Sequence, residues 1–147
     1  MENHSEQHVV LSVELRYDLS ECDDDNMLVI DNGDHHRSFR RLENPDHMHT
    51  ITWRLTGNAI DGEFCALDDD EHPGFVWLIR KPDARVFHHL QLKGGKTLEI
   101  HNHHIDKSSE GTWYYQLFAR FGDRVYGVPL TCVAGGANSP NPSIKNN

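Results

Sequence analysis

Histidine is the residue whose number and spacing point to chemistry. The chain holds twelve among 147 residues. His47 and His49 stand two apart, and so do His101 and His103. On a strand, that spacing puts both rings on one face with about 7 Å between side-chain roots, a gap a divalent ion can bridge. His88 and His89 fall on a segment expected to pair with the one carrying His101 to His104, so imidazoles from both strands of a hairpin can converge. His88, His89, His101 and His103 are therefore the candidate metal ligands, and zinc, copper or nickel suits an imidazole set. A solvated histidine-rich strand face explains the same residues more simply, because His101 and His103 lie past the end of the apolar pattern.

Other chemistry finds less support in the spacing. Gly95, six residues before His101, and the following His-x-His match the opening of a cupin metal motif. The Glu expected three or four residues after His103 is missing, since the first is Glu110, and no histidine follows His104. Cys132 has no downstream His or Met to complete a cupredoxin copper site. Gly94-Gly95-Lys96-Thr97 echoes the end of a phosphate-binding loop, but Leu90 stands where the earlier glycine belongs and a strand follows instead of a helix. The acidic runs at 23–25 and 68–71 lack EF-hand spacing. No nucleophile-elbow sequence occurs, and paired carboxylates for glycoside hydrolysis need a cleft that spacing alone does not reveal. Cys22, Cys65 and Cys132 form no C-x-x-C pair, which argues against a disulfide framework or structural zinc. Cys65 and Cys132 read as small buried hydrophobes.

The elements that must position these side chains are strands. Turn chemistry recurs every eight to twelve residues, and the segments between alternate apolar and polar, as in a sandwich or barrel. Residues 9–17, 27–31, 48–56, 62–67, 75–80, 112–121 and 124–133 read as strands, and residues 36–42 as a charged edge strand. Residues 86–92 and 97–102 form a hairpin through Lys93-Gly94-Gly95-Lys96. No apolar stripe of helical period reaches ten residues. Trp53, Trp77 and Trp113 are the expected core anchors, with Phe64, Phe75, Leu98, Ile100, Tyr115 and Leu117 around them. The domain is expected over residues 9–133, after a flexible segment at 1–8. Residues 134–147, rich in Gly, Asn, Ser and Pro, are expected to form an extended tail, mobile or draped on the surface.

Composition narrows the partners. Lys plus Arg is 14 and Asp plus Glu 23, a net charge of −9. A phosphate backbone is repelled by that field, and the one basic cluster, Arg37-Ser38-Phe39-Arg40-Arg41, is flanked by Asp34 and Glu43. No nucleic-acid partner is expected. No apolar run approaches bilayer length, so no membrane partner is expected either. The N-terminus lacks the basic start and apolar middle of a signal peptide, which makes the cytoplasm the default compartment.

The strand Ile51-Thr52-Trp53-Arg54-Leu55 is followed by Thr97-Leu98-Glu99-Ile100-His101-Asn102 after a glycine turn. Then come the aromatic Trp113-Tyr114-Tyr115-Gln116-Leu117 and a terminal Pro142-Ser143-Ile144-Lys145-Asn146. In this ordering, over roughly residues 48–147, the chain resembles the DP-EP family, small bacterial proteins of unknown function. The resemblance implies an immunoglobulin-like sandwich and no catalytic residues. The sequence thus leads to an all-β, immunoglobulin-like β-sandwich of about seven to ten antiparallel strands. It is expected to be a non-enzymatic binding or self-assembly module without a cofactor, with a homodimer through sheet edges as its partner. A histidine-held divalent metal is the first alternative, and carbohydrate binding on an exposed aromatic is the second.

Overall fold

The computed structural model describes residues 6–17, 26–128 and 142–147. These form two open, mixed sheets packed as a sandwich, with eleven strands among the described residues. The first sheet has the order β2-β1-β4-β8-β7, built from β1 (His8–Tyr17), β2 (Asn26–Ile30), β4 (His49–Leu55), β7 (Phe87–Lys93) and β8 (Thr97–Asn102). The second is organised on β9 (Gly111–Phe121), the longest strand. Two short strands, β11 (Ser143–Asn146) and β6 (Phe75–Leu78), pair with its first half. Two more, β10 (Arg124–Gly127) and β5 (Glu63–Phe64), pair with its second. β3 (His36–Phe39) closes that sheet beyond β11 and is an edge strand, as its arginines suggested. The strands are not all antiparallel: β1 runs parallel to β4, and β11 parallel to β3.

Alternation explains the burial. In β4, Ile51, Trp53 and Leu55 are fully buried between less buried neighbours. Leu11 and Val13 of β1 and Leu98 and Ile100 of β8 join them from the same sheet. Facing them are Phe75, Trp113, Tyr115 and Leu117 of the second sheet. Trp53 is the bridge. Its ring meets Tyr115 edge-on at 5.2 Å and Phe75 at 5.2 Å, and its Nε1–H donates to the Tyr115 hydroxyl at 3.1 Å. That bond is buried, so its loss strands a donor in an apolar core. Tyr115→Phe, which removes one oxygen, is expected to cost about 1–3 kcal/mol. Urea denaturation measures this, and an unchanged midpoint would show the bond to be unimportant.

Two expectations are corrected. Trp77 is only partly buried, packed against the margin of the core rather than within it. The short β6 lies where the sheets part, so alternation along it does not lead to full cover. Of the expected tail, residues 134–141 lie outside the described residues, but residues 142–147 are not draped on the surface. β11 is inserted between β9 and β3, with Ile144 at 1% and Asn146 at 2% exposure. The reason is polar. Asn146 and Asn102 of β8 exchange amide hydrogen bonds at 2.8 and 3.0 Å, and Asn146 also donates to the Ser109 carbonyl at 2.9 Å. This buried pair ties the two sheets together. Residues 1–5, Cys22, Asp23 to Asp25 and Cys132 lie outside the described residues, while Cys65 is buried as expected, and burial pushes its thiol pKa up.

Candidate functional site

The hairpin β7–β8 turns through residues 94–96, where Gly94 and Gly95 adopt φ of +61° and +76°. Left-handed backbone of this kind is open to glycine at little cost. The echo of a phosphate-binding loop is thus a strand reversal. Within the hairpin, His88 pairs with His101, but the next registered pair is Gln91 with Glu99. β7 therefore holds one more residue than β8 over this stretch, a β-bulge, and His89 within it has φ of +60°. Regular strand geometry would send His88 and His89 to opposite faces. The bulge overrides this, since a bulge re-aims the side chains it carries.

The result is convergence. Nδ1 of His88 and Nδ1 of His89 lie 2.9 Å apart. The His101 ring sits 6.1 Å from that of His88 and 5.1 Å from that of His89. One nitrogen from each of the three rings falls within 4.8 Å of the others. Four ligands on zinc, with Zn–N near 2.0–2.1 Å, stand about 3.3 Å apart when tetrahedral and about 2.9 Å when at right angles. The His88–His89 pair already meets that spacing, and His101 needs only a modest ring movement.

The surroundings prepare these rings as ligands. His101 directs Nε2 toward Glu99 at 3.6 Å, while its Nδ1 is buried without a hydrogen-bond partner. A carboxylate on the far nitrogen fixes the tautomer that leaves Nδ1 as a lone pair. Glu99 is itself held by the Lys93 ammonium at 2.5 Å. That bond, helped by His101, keeps the Glu99 carboxyl below its ordinary pKa. Burial, then the neighbouring His89, His101 and His103, lowers the pKa of His88. The neutral ring, which is the ligand form, is favoured. Glu99 and Lys93 were not singled out from the sequence. The signal was available, because Glu99 stands two residues before His101 and so shares its face.

His103 is not gathered with the others. Its ring is 6.1 Å from that of His88, but its Nε2 bonds the Pro45 carbonyl at 2.5 Å. His47 and His49 do not make a pair either. His47 sits 3.5 Å from Glu6, whereas His49 is buried: it accepts from the Gln7 N–H at Nδ1 (3.0 Å) and donates from Nε2 to the Arg40 carbonyl (2.8 Å). The acidic loop at 68–71 is likewise occupied with itself. Asp69 accepts from the backbone N–H of Glu71 and His72. Arg37 and Arg41 of the basic cluster pair with Asp31 and Glu110. Among the described residues, the group with ligand atoms placed for a metal is His88, His89 and His101.

His49 has a consequence for stability. Burial, the largest influence, holds its pKa below the ordinary 6.5; His104 and His8 act the same way, against the Arg40 carbonyl and Glu6. The folded-state value lies below the unfolded one, so the contribution is intact above about pH 6.5 and is lost as pH falls through the folded value. His88 carries the same sign. Stability is expected to decline between pH 7 and pH 5, above the range where carboxylates titrate. A His49→Gln variant should show a shallower decline over that window in urea titrations, and an equal slope would remove His49 as the cause.

No known family model matches the chain, and no curated protein matches it significantly. Neither finding bears on the resemblance to the DP-EP family.

Proposed function

We propose that the protein binds one divalent transition-metal ion through His88, His89 and His101. The observation that carries this reading is the bulge at His89. A non-glycine residue held in left-handed backbone aims two consecutive imidazoles at one point, beside the unpartnered Nδ1 of a third. Such strain is uncommon and collects at functional positions. An all-imidazole set suits zinc, copper(II) or nickel over calcium or magnesium, and three protein ligands leave a position for water or a fourth donor. Metal analysis of untagged protein, purified without nickel resin and then loaded with zinc, tests the reading. One equivalent resistant to gel filtration is expected, and substoichiometric metal would refute it.

Self-assembly stands as a second reading because β2 and β7 end the first sheet with no strand beyond them among the described residues. Pairing such edges makes a two-fold dimer. Light scattering at high concentration should then report twice the mass of one chain. The immunoglobulin-like type of the sandwich rests on the DP-EP resemblance. The carbohydrate reading has little support, because Trp53 and Trp113 are buried and Trp77 is partly covered.

A further inference from the structure

The two sheets part along one side of the sandwich. There β7 comes against β6, with the rings of Trp77 and Phe87 5.0 Å apart. Between them opens a cleft of about 450 Å³, within the usual size of small-molecule sites. Phe75 and Trp77 of β6, Phe87 and Leu90 of β7, and Pro82 from the connection supply apolar walls. Lys81 supplies the one permanent charge among the lining side chains. Its ammonium makes no ion pair among the described residues.

Three features mark this cleft as more than imperfect packing. Its aromatic wall is continuous: Phe75 meets Trp77 edge-on at 4.9 Å, and Trp77 meets Phe87. Trp77 stays only partly covered although its neighbours Phe75 and Phe87 are buried. Backbone strain also brackets the cleft. Ile79, directly after β6, has φ of +67° and 84% exposure, and His89 on β7 has φ of +60°. Among the described residues, the other two non-glycine residues with positive φ, Asp31 and Asn32, sit in a turn. Left-handed backbone is an outlier for a β-branched residue, and an exposed isoleucine gains no burial from it. The turn it makes carries the chain on to Lys81 and Pro82 at the cleft.

We propose that this cleft binds a small aromatic carboxylate, with its ring against Trp77 and Phe87 and its carboxylate on Lys81. Aromatic walls favour a ring, which adds edge-to-face contact to the area it buries. Lys81 is the one ammonium in a lining whose other ionisable side chains are His88 and His89, and it selects a single negative charge. His88 and His89 also line the cleft, so it adjoins the imidazole cluster, but the ring and carboxylate contacts call for no metal.

Naphthalene-2-carboxylate titrated into the full chain in chelator tests the proposal, with naphthalene-2-methanol as the uncharged comparison. Amide chemical shifts should saturate at one site, centred on Trp77, Lys81 and Phe87. The acid should bind about threefold tighter than the alcohol, as one exposed charge contact allows. In Lys81→Met, an exposed position whose replacement leaves the fold intact, acid and alcohol should bind equally. Three results would overturn the proposal: no saturation at millimolar concentration, shifts scattered away from the cleft, or a preference for the acid that survives Lys81→Met.

Discussion

Replacing His89 with glycine is expected to weaken the proposed metal binding severely while leaving the fold as stable as before, or slightly more so. The two effects have separate causes. His89 adopts φ of +60°, a conformation that costs an L-residue roughly 1–2 kcal/mol and costs glycine almost nothing. Against that gain stands the greater freedom of glycine in the unfolded chain, about 0.5–1 kcal/mol. The net is near zero or favourable, and the bulge itself should persist, because its register is set by His88 against His101 and Gln91 against Glu99. The metal fares differently. Losing one of three imidazoles should weaken zinc binding by at least about 100-fold, the equivalent of roughly 3 kcal/mol. Glu99→Gln keeps all three imidazoles but weakens the partner that orients His101, and about 10- to 100-fold is expected there. Calorimetric titration of zinc into each protein, beside urea unfolding of the metal-free forms, separates these terms. Zinc affinity unchanged in His89→Gly would mean the ligand set is wrong. A metal-free variant destabilised by several kcal/mol would mean that His89 is a packing residue and its strain serves no ligand.

The contrast between these residues shows what a sequence can carry. Ile51, Trp53 and Leu55 were legible as core because period-two alternation depends on neighbouring positions alone. The pairing of His88 with His101 was legible for a similar reason, since Gly94 and Gly95 mark the reversal between them. The bulge was not. No glycine or proline interrupts β7, and histidine enters left-handed backbone without a compositional trace. Convergence of two adjacent imidazoles therefore had to be seen in three dimensions. Trp77 misled in the opposite way. It alternates correctly along β6, but cover depends on what lies across from a strand, and at the parting of the sheets little does. Asn102 was hidden too. It stands between His101 and His103, past the end of the apolar pattern, yet it is fully buried, because its partner stands 44 residues away on β11.

Removing residues 142–147 is therefore expected to unfold the protein, although their composition reads as a dispensable tail. β11 is an interior strand, paired with Tyr114 to Gly111 of β9 on one side and with β3 on the other. Its deletion exposes both neighbours as unpaired edges and leaves β3 with no partner strand among the described residues. The cavity left by Ile144 alone should cost about 2–5 kcal/mol. Asn102, fully buried, would lose its amide partner, and His104, which now bonds the Asn147 carbonyl at 2.6 Å, would lose one as well. Each stranded polar group adds about 1–3 kcal/mol. Together these losses come to about 4–11 kcal/mol before the ladder hydrogen bonds of β11 are counted, comparable with the roughly 5–15 kcal/mol that stabilises a typical domain. The truncated chain should show no cooperative urea transition and a poorly dispersed amide spectrum. Point variants grade the effect. Ile144→Ala should shift the midpoint strongly, whereas Lys145→Ala, on the exposed position of the same strand, should move stability by no more than about 0.5 kcal/mol. If the truncated chain kept the full-length midpoint, the buried asparagine clasp would be an ornament and the second sheet would have to be held by β9 and its other neighbours alone.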